Sequence, residues 1–105
     1  MTKIVRAFVR HHAFGDSGEC VAIVSFDYEI SIKLALDVAY KDTNTIDHPW
    51  KYNHNVEMVG PAKLAGGCRS TSVGDWIVLE MDDGSAEAYL VEPVGFRSIG
   101  KQGRL

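Results

Sequence analysis

Long apolar runs are missing from this chain. The longest, Cys20 to Val24, is far short of the roughly 20 residues that cross a bilayer. The N-terminus also lacks the apolar core, roughly 7 to 15 residues long, of a secretion signal, so a cytoplasmic location is expected. Cysteine is scarce: Cys20 and Cys68 stand 48 positions apart. With no secretion signal they are expected to stay reduced, without a disulfide. Proline, at 3 residues, is too sparse for an extended linker, and no low-complexity tract argues for disorder. What is present is ordinary for a globular protein: 46% hydrophobic and 24% charged residues in 105, a length that suits one domain over 1-105.

Acidic residues are absent from both ends. Residues 1–12 carry Lys3, Arg6 and Arg10, and residues 95–105 carry Arg97, Lys101 and Arg104. All 14 acids lie between, against five bases, a local net charge of −9. If the first strand and the tail lie side by side, Arg6, Arg10, Arg97, Lys101 and Arg104 form one basic edge that could meet a phosphate backbone. The plainer reading is that these residues solvate an edge strand and blunt its aggregation.

Ile4 to Arg10 alternates only in part, as an outer strand does, whereas Cys20 to Phe26 is nearly continuous and suits a strand covered on both faces. Phe14-Gly15-Asp16-Ser17-Gly18 between them reads as a turn. A helix is expected from Ser31 as N-cap to Thr43, with Asn44 as C-cap. Ile32, Ala35, Leu36, Ala39 and Tyr40 share its apolar face, and Leu34 and Val38 widen it toward either the core or a partner. A long polar and aromatic loop, 45–55, leads to a short strand over Val56 to Val59. Trp76 to Met81 and Ser85 to Glu92 form a hairpin around Asp82-Asp83-Gly84. Pro93 ends that strand, and Gly95 to Ile99 is placed as a short edge segment.

The motifs favour structure over catalysis. Ser72-Val73-Gly74-Asp75 fits a capping box, in which Ser72 accepts from the Asp75 amide and the Asp75 carboxylate reaches back to the Ser72 amide. Beside it, Arg69, Ser70 and Thr71 could hold an anion, but the P-loop spacing is missing. Ser70, Ser72 or Cys68 would need His48 or His54 for nucleophilic chemistry, and no nucleophile elbow is present. Metal-ligand spacing fails for Asp47, His48, His54 and Cys68, and His11 and His12, adjacent on a strand, point to opposite faces. No cofactor or metal is expected.

Arg69-Ser70-Thr71-Ser72-Val73-Gly74-Asp75, followed by an apolar strand, a glycine turn, Tyr89-Leu90-Val91 and Gly95-Phe96, resembles the YodL-like module of phage and mobile-element proteins. Where that module has Asp-Ser-Phe, this chain has Glu92-Pro93-Val94. The whole chain, through Thr43 to Trp50, is similar to small phage proteins. The resemblance implies a phage-borne accessory role and transfers no reaction, cofactor or catalytic residue. More weakly, Val73 to Leu79 is similar to the Val-Gly-Asp turn of RNA-binding β-barrels of the PUA and ASCH type.

The resulting expectation is an α+β domain: a strongly twisted, mostly antiparallel sheet of about five strands, in the order β-β-α-β-β-β, with one helix packed on it and half-closure into a barrel as a variant. The leading function is non-enzymatic, the binding and modulation of a host protein, as a monomer or small homo-oligomer. Its contacts are placed on His48, Trp50, Tyr52 and His54 in one loop and on Arg69, Ser70 and Thr71 in another. The alternative is a small RNA or DNA binder using the basic edge, with Trp50, Tyr52 and His54 for stacking. An enzyme acting on an anion clamped by Arg69 comes third.

Overall fold

The computed structural model describes residues 3–16, 18–43, 56–60 and 71–104, with backbone only for 102–104. Its elements are β1 (Ile4–His11), a single 3-10 turn (Ala13–Gly15), β2 (Glu19–Ser25), α1 (Ile32–Thr43), β3 (Val56–Met58), β4 (Trp76–Met81), β5 (Ser85–Val91) and β6 (Phe96–Arg104). All strand pairs are antiparallel, in one six-stranded sheet of order β3-β2-β1-β4-β5-β6. The fold is α+β. The sheet is open: β3 forms one edge and β6 the other.

This order corrects two expectations. β1 is an interior strand, paired with β2 on one side and β4 on the other. Its broken alternation arises because only one sheet face is packed under the helix. Ala7 and Val9 are fully buried in the main core. On the opposite face the Arg6 Nε–H donates to Glu80 at 2.6 Å and the Arg10 Nε–H to the Gly18 carbonyl at 2.8 Å. A central strand tolerates such arginines where their heads reach water or an acceptor. In addition, β6 is nine residues long rather than a short edge segment, bringing the strand count to six.

The helix starts as expected. Ser31 Oγ accepts from the Leu34 amide at 3.2 Å, an N-cap bond to the third helical residue. Ala35, Leu36, Ala39 and Thr43 turn inward, and the Thr43 hydroxyl donates to the Ala39 carbonyl at 2.7 Å. The two alanines let the helix sit close to β1 and β4. Val38 packs against the core and Leu34 is exposed, so the wide apolar side divides between the two. Asn44 lies outside the described residues.

The hairpin between β4 and β5 closes as its sequence predicts. The Gly84 amide donates to the Met81 carbonyl at 3.0 Å at a φ of 87°, and Asp83 Oδ1 accepts from the Ser85 amide at 2.9 Å. In β2, Val21, Ala22 and Val24 are buried and Ile23 is half-buried, close to the doubly covered strand expected. The sheet face away from the helix holds a second, smaller cluster, where Val78, Ala86 and Ala88 pack with Phe8, Trp76 and Ile99.

Candidate functional site: a groove beside the helix and a buried carboxylate

The tightest polar cluster centres on Asp75, which has no exposed surface. Its Oδ1 accepts from the amides of His12 and Ala13, both at 2.9 Å, and its Oδ2 from the Ser72 amide at 2.8 Å. Asp75 thus reaches back to Ser72 as the expected capping box requires, and its own amide donates to the Ser72 main-chain carbonyl, at 3.0 Å, in a tight turn. The surplus oxygen is spent on the chain leaving β1. No local sequence signal discloses that link, since 62 positions separate Asp75 from Ala13.

His11, Thr71 and Asp75 lie together, and the trio superficially suggests nucleophilic catalysis. The geometry opposes that role. His11 Nε2 is 3.1 Å from Thr71 Oγ1 and 3.8 Å from Asp75 Oδ2, so one ring nitrogen faces both groups. A relay needs the base on one nitrogen and the orienting carboxylate on the other. All three side chains are also buried, out of reach of a substrate. Thr71, expected to contact a partner, instead turns inward, and its amide donates to the Thr43 carbonyl at 2.9 Å. The cluster locks together the end of β1, the end of α1 and the turn into β4.

His12 lies one residue past β1, with helical backbone angles (φ −111°, ψ −19°), and its side chain joins a different neighbour. Its ring stacks on Trp76 with centroids 4.0 Å apart, and its Nε2 is buried with no hydrogen-bond partner among the described residues. Burial, and secondarily the charge of Arg10, lower its pKa against the opposing pull of Asp75. A neutral ring is the form this setting favours.

Of the expected contact residues, His48, Trp50, Tyr52, His54, Arg69 and Ser70 lie outside the described residues. The composite basic edge does not form. β1 is separated from β6 by β4 and β5, so Arg6 and Arg10 cannot share an edge with Arg97, Lys101 and Arg104. Arg6 and Arg97 are moreover paired with Glu80 and Glu92, at 2.6 and 3.3 Å. Among the described residues, no group of three or more His, Cys, Asp or Glu is placed to hold a metal, and no helix is long and apolar enough to cross a membrane.

A surface feature is found instead where α1, packed mainly over β1 and β4, covers β5 and β6 only in part. A groove of about 440 Å³ runs between Ile32 and Leu36 of the helix and Tyr89, Gly95 and Phe96 of the last hairpin. A second hollow of about 210 Å³ adjoins it through Phe96 and reaches Val73 and Pro93. Ile32 and Val73 are 45% and 47% exposed, so the groove has apolar lips. Its floor is fixed by Phe96, which meets Tyr40 edge-on at 6.1 Å. Burial, and then the charge of Glu87, push the Tyr89 phenol up to about 12. Ile32 and Gly95-Phe96 were each legible, the first on the apolar helix face and the second as a motif. Their meeting was not, because it depends on which strands the helix covers. Comparison of the chain with protein-family models, with curated proteins and with solved structures gives no match.

Proposed function

We propose that this chain is a non-enzymatic binding module that captures and modulates another protein through the groove beside α1. The observation that carries this reading is the apolar-lipped groove of about 440 Å³ at the surface, set against a histidine cluster that is sealed inside. Pockets in this size range accept a few apolar side chains, and exposed apolar lips rimmed by charge are typical of protein-binding surfaces. Lys33 and Asp37 supply that charge on the helix wall. The resemblance to YodL-like modules points to a phage-borne accessory protein, and hence to a host protein as the ligand. Trp50 and Arg69 are further candidate contacts.

The test is capture from host lysate with nuclease present, comparing the parent protein with Ile32→Glu. An acid in the first helical turn favours the helix dipole, so this variant is expected to stay folded while its charge spoils the groove. Loss of the captured protein from Ile32→Glu, with Lys3→Glu behaving as the parent, is the expected result. Equal capture by all three proteins, or recovery of nucleic acid alone, would refute the assignment.

A further inference from the structure

Phe96 of β6 lines the groove, and β6 is an edge of the sheet, with no strand among the described residues on its outer side. Its sequence, FRSIGKQGR, contains three bases and no acid. Two register shifts interrupt its pairing with β5, where Ile99 and Gln102 are the extra residues, and such bulges blunt an edge. Phe96 to Ser98 escapes them, pairing regularly with Val91, Leu90 and Tyr89. Its first residue, Phe96, also lines the groove. Three residues suffice for an edge in this fold, since β3 pairs with β2 over the same length.

The two faces of that stretch differ in chemistry. Phe96 belongs to the helix face and packs with the main core, so by alternation Arg97 belongs to the opposite face. A strand laid beside Phe96 to Ser98 would therefore set one side chain toward the groove and the next toward Arg97. A second copy of the chain is a poor occupant. Antiparallel self-pairing centred on this stretch would place Arg97 beside Arg97, and like charges directly opposite are destabilising. Arg97 does hold Glu92, but at 3.3 Å and 60% side-chain exposure, and such exposed pairs exchange partners at little cost.

We infer that the ligand is an extended protein segment alternating acidic and apolar residues, which adds as a strand to the Phe96 to Ser98 edge of β6. Main-chain hydrogen bonds supply the affinity, while the apolar side chains enter the groove and the acidic ones meet Arg97. This inference rests on the groove being a binding surface, and its test separates the two.

The probe is the synthetic peptide acetyl-EVEVEVE-amide, titrated into the full chain and followed by backbone amide NMR and hydrogen exchange, with acetyl-KVKVKVK-amide as the charge control. The expected result is slowed exchange at alternate residues of Phe96 to Ser98 with the acidic peptide alone, and binding weakened about threefold to tenfold by Arg97→Glu. Shifts confined to Ile32, Leu36 and Tyr89, with exchange in β6 unchanged, would overturn strand addition and leave the groove standing. Equal binding of both peptides, or none at millimolar acidic peptide, would overturn the inference, whereas the groove reading falls if capture ignores Ile32→Glu or recovers nucleic acid alone.

Discussion

Replacing Asp75 with asparagine changes one oxygen to an NH2 group, and the structure gives the size of the penalty. The carboxylate accepts three main-chain amides, two on Oδ1 at 2.9 Å and one on Oδ2 at 2.8 Å. If the asparagine oxygen keeps the Oδ1 position, its NH2 points at the Ser72 amide; if it is flipped, the NH2 points at both His12 and Ala13. At least one bond to a charged acceptor is lost, about 1.5–3 kcal/mol, and a buried N–H is orphaned, about 1–3 kcal/mol more. We expect Asp75→Asn to lose about 3–5 kcal/mol, a large share of the roughly 5–15 kcal/mol that holds a domain folded. The melting temperature should fall by about 12–40 °C, at roughly 4–8 °C per kcal/mol for a chain of this size. Urea denaturation followed by near-ultraviolet circular dichroism measures the loss. Asp82→Asn is the control, since Asp82 is exposed and accepts from the Lys3 amide at 3.1 Å, and it should change stability by less than about 1 kcal/mol. Amide exchange at His12, Ala13 and Ser72 should accelerate in the Asp75 variant. A loss below about 1 kcal/mol with unchanged exchange would refute the account of Asp75 as the anchor of β1.

Two other substitutions address parts of the molecule away from that carboxylate. Gly18 has a φ of 86°, and a Cβ there would fall 2.3 Å from the His12 ring. Gly18→Ala should therefore cost about 2–4 kcal/mol and alter tryptophan emission by displacing His12 from Trp76; a variant as stable as the parent would show that the ring is not held there. The Tyr89 phenol, raised to about 12 from an ordinary 10, keeps its proton more tightly in the folded state. Its contribution to stability is intact below pH 10 and is lost as pH rises through about 12. Phenolate absorbance should show a phenol that titrates late, near 12, and that Tyr89→Phe removes; absence of that late step in folded protein would contradict this.

Local features of the sequence were legible because they depend on neighbours in the chain. Ser31 capping α1, the Asp83-Gly84 turn and the apolar run of β2 each follow from a few adjacent side chains. The placement of β1 did not follow, because Arg6 and Arg10 read as marks of an outer strand. They are tolerated inside the sheet only because the face they share is not under the helix and because Glu80 and the Gly18 carbonyl lie opposite them. For the same reason the basic edge dissolved: its two halves are similar in composition, and composition does not carry strand order. The capping box at Ser72 to Asp75 was recognised, but its more important half, the grip on His12 and Ala13, joins residues that only tertiary structure brings together. Thr71 illustrates the reverse error, since a hydroxyl beside a cation in a polar stretch looks exposed until Thr43 and His11 are found to enclose it.

Strand order also divides the molecule in a way that its chain of elements conceals. β3, β2 and β1 form one antiparallel group of three, with α1 inserted between β2 and β3, and β4, β5 and β6 form another, and among the described residues the strand pairing that joins the two groups is the β1–β4 seam. The helix packs across that seam, and Asp75, from the second half, grips His12 and Ala13 of the first. Neither half is thus a separable unit. Pulling the seam apart exposes unpaired strand edges with buried apolar residues on each side and strips the helix of half its floor, so damage to either group is transmitted to the other as a loss of cooperativity rather than as local fraying.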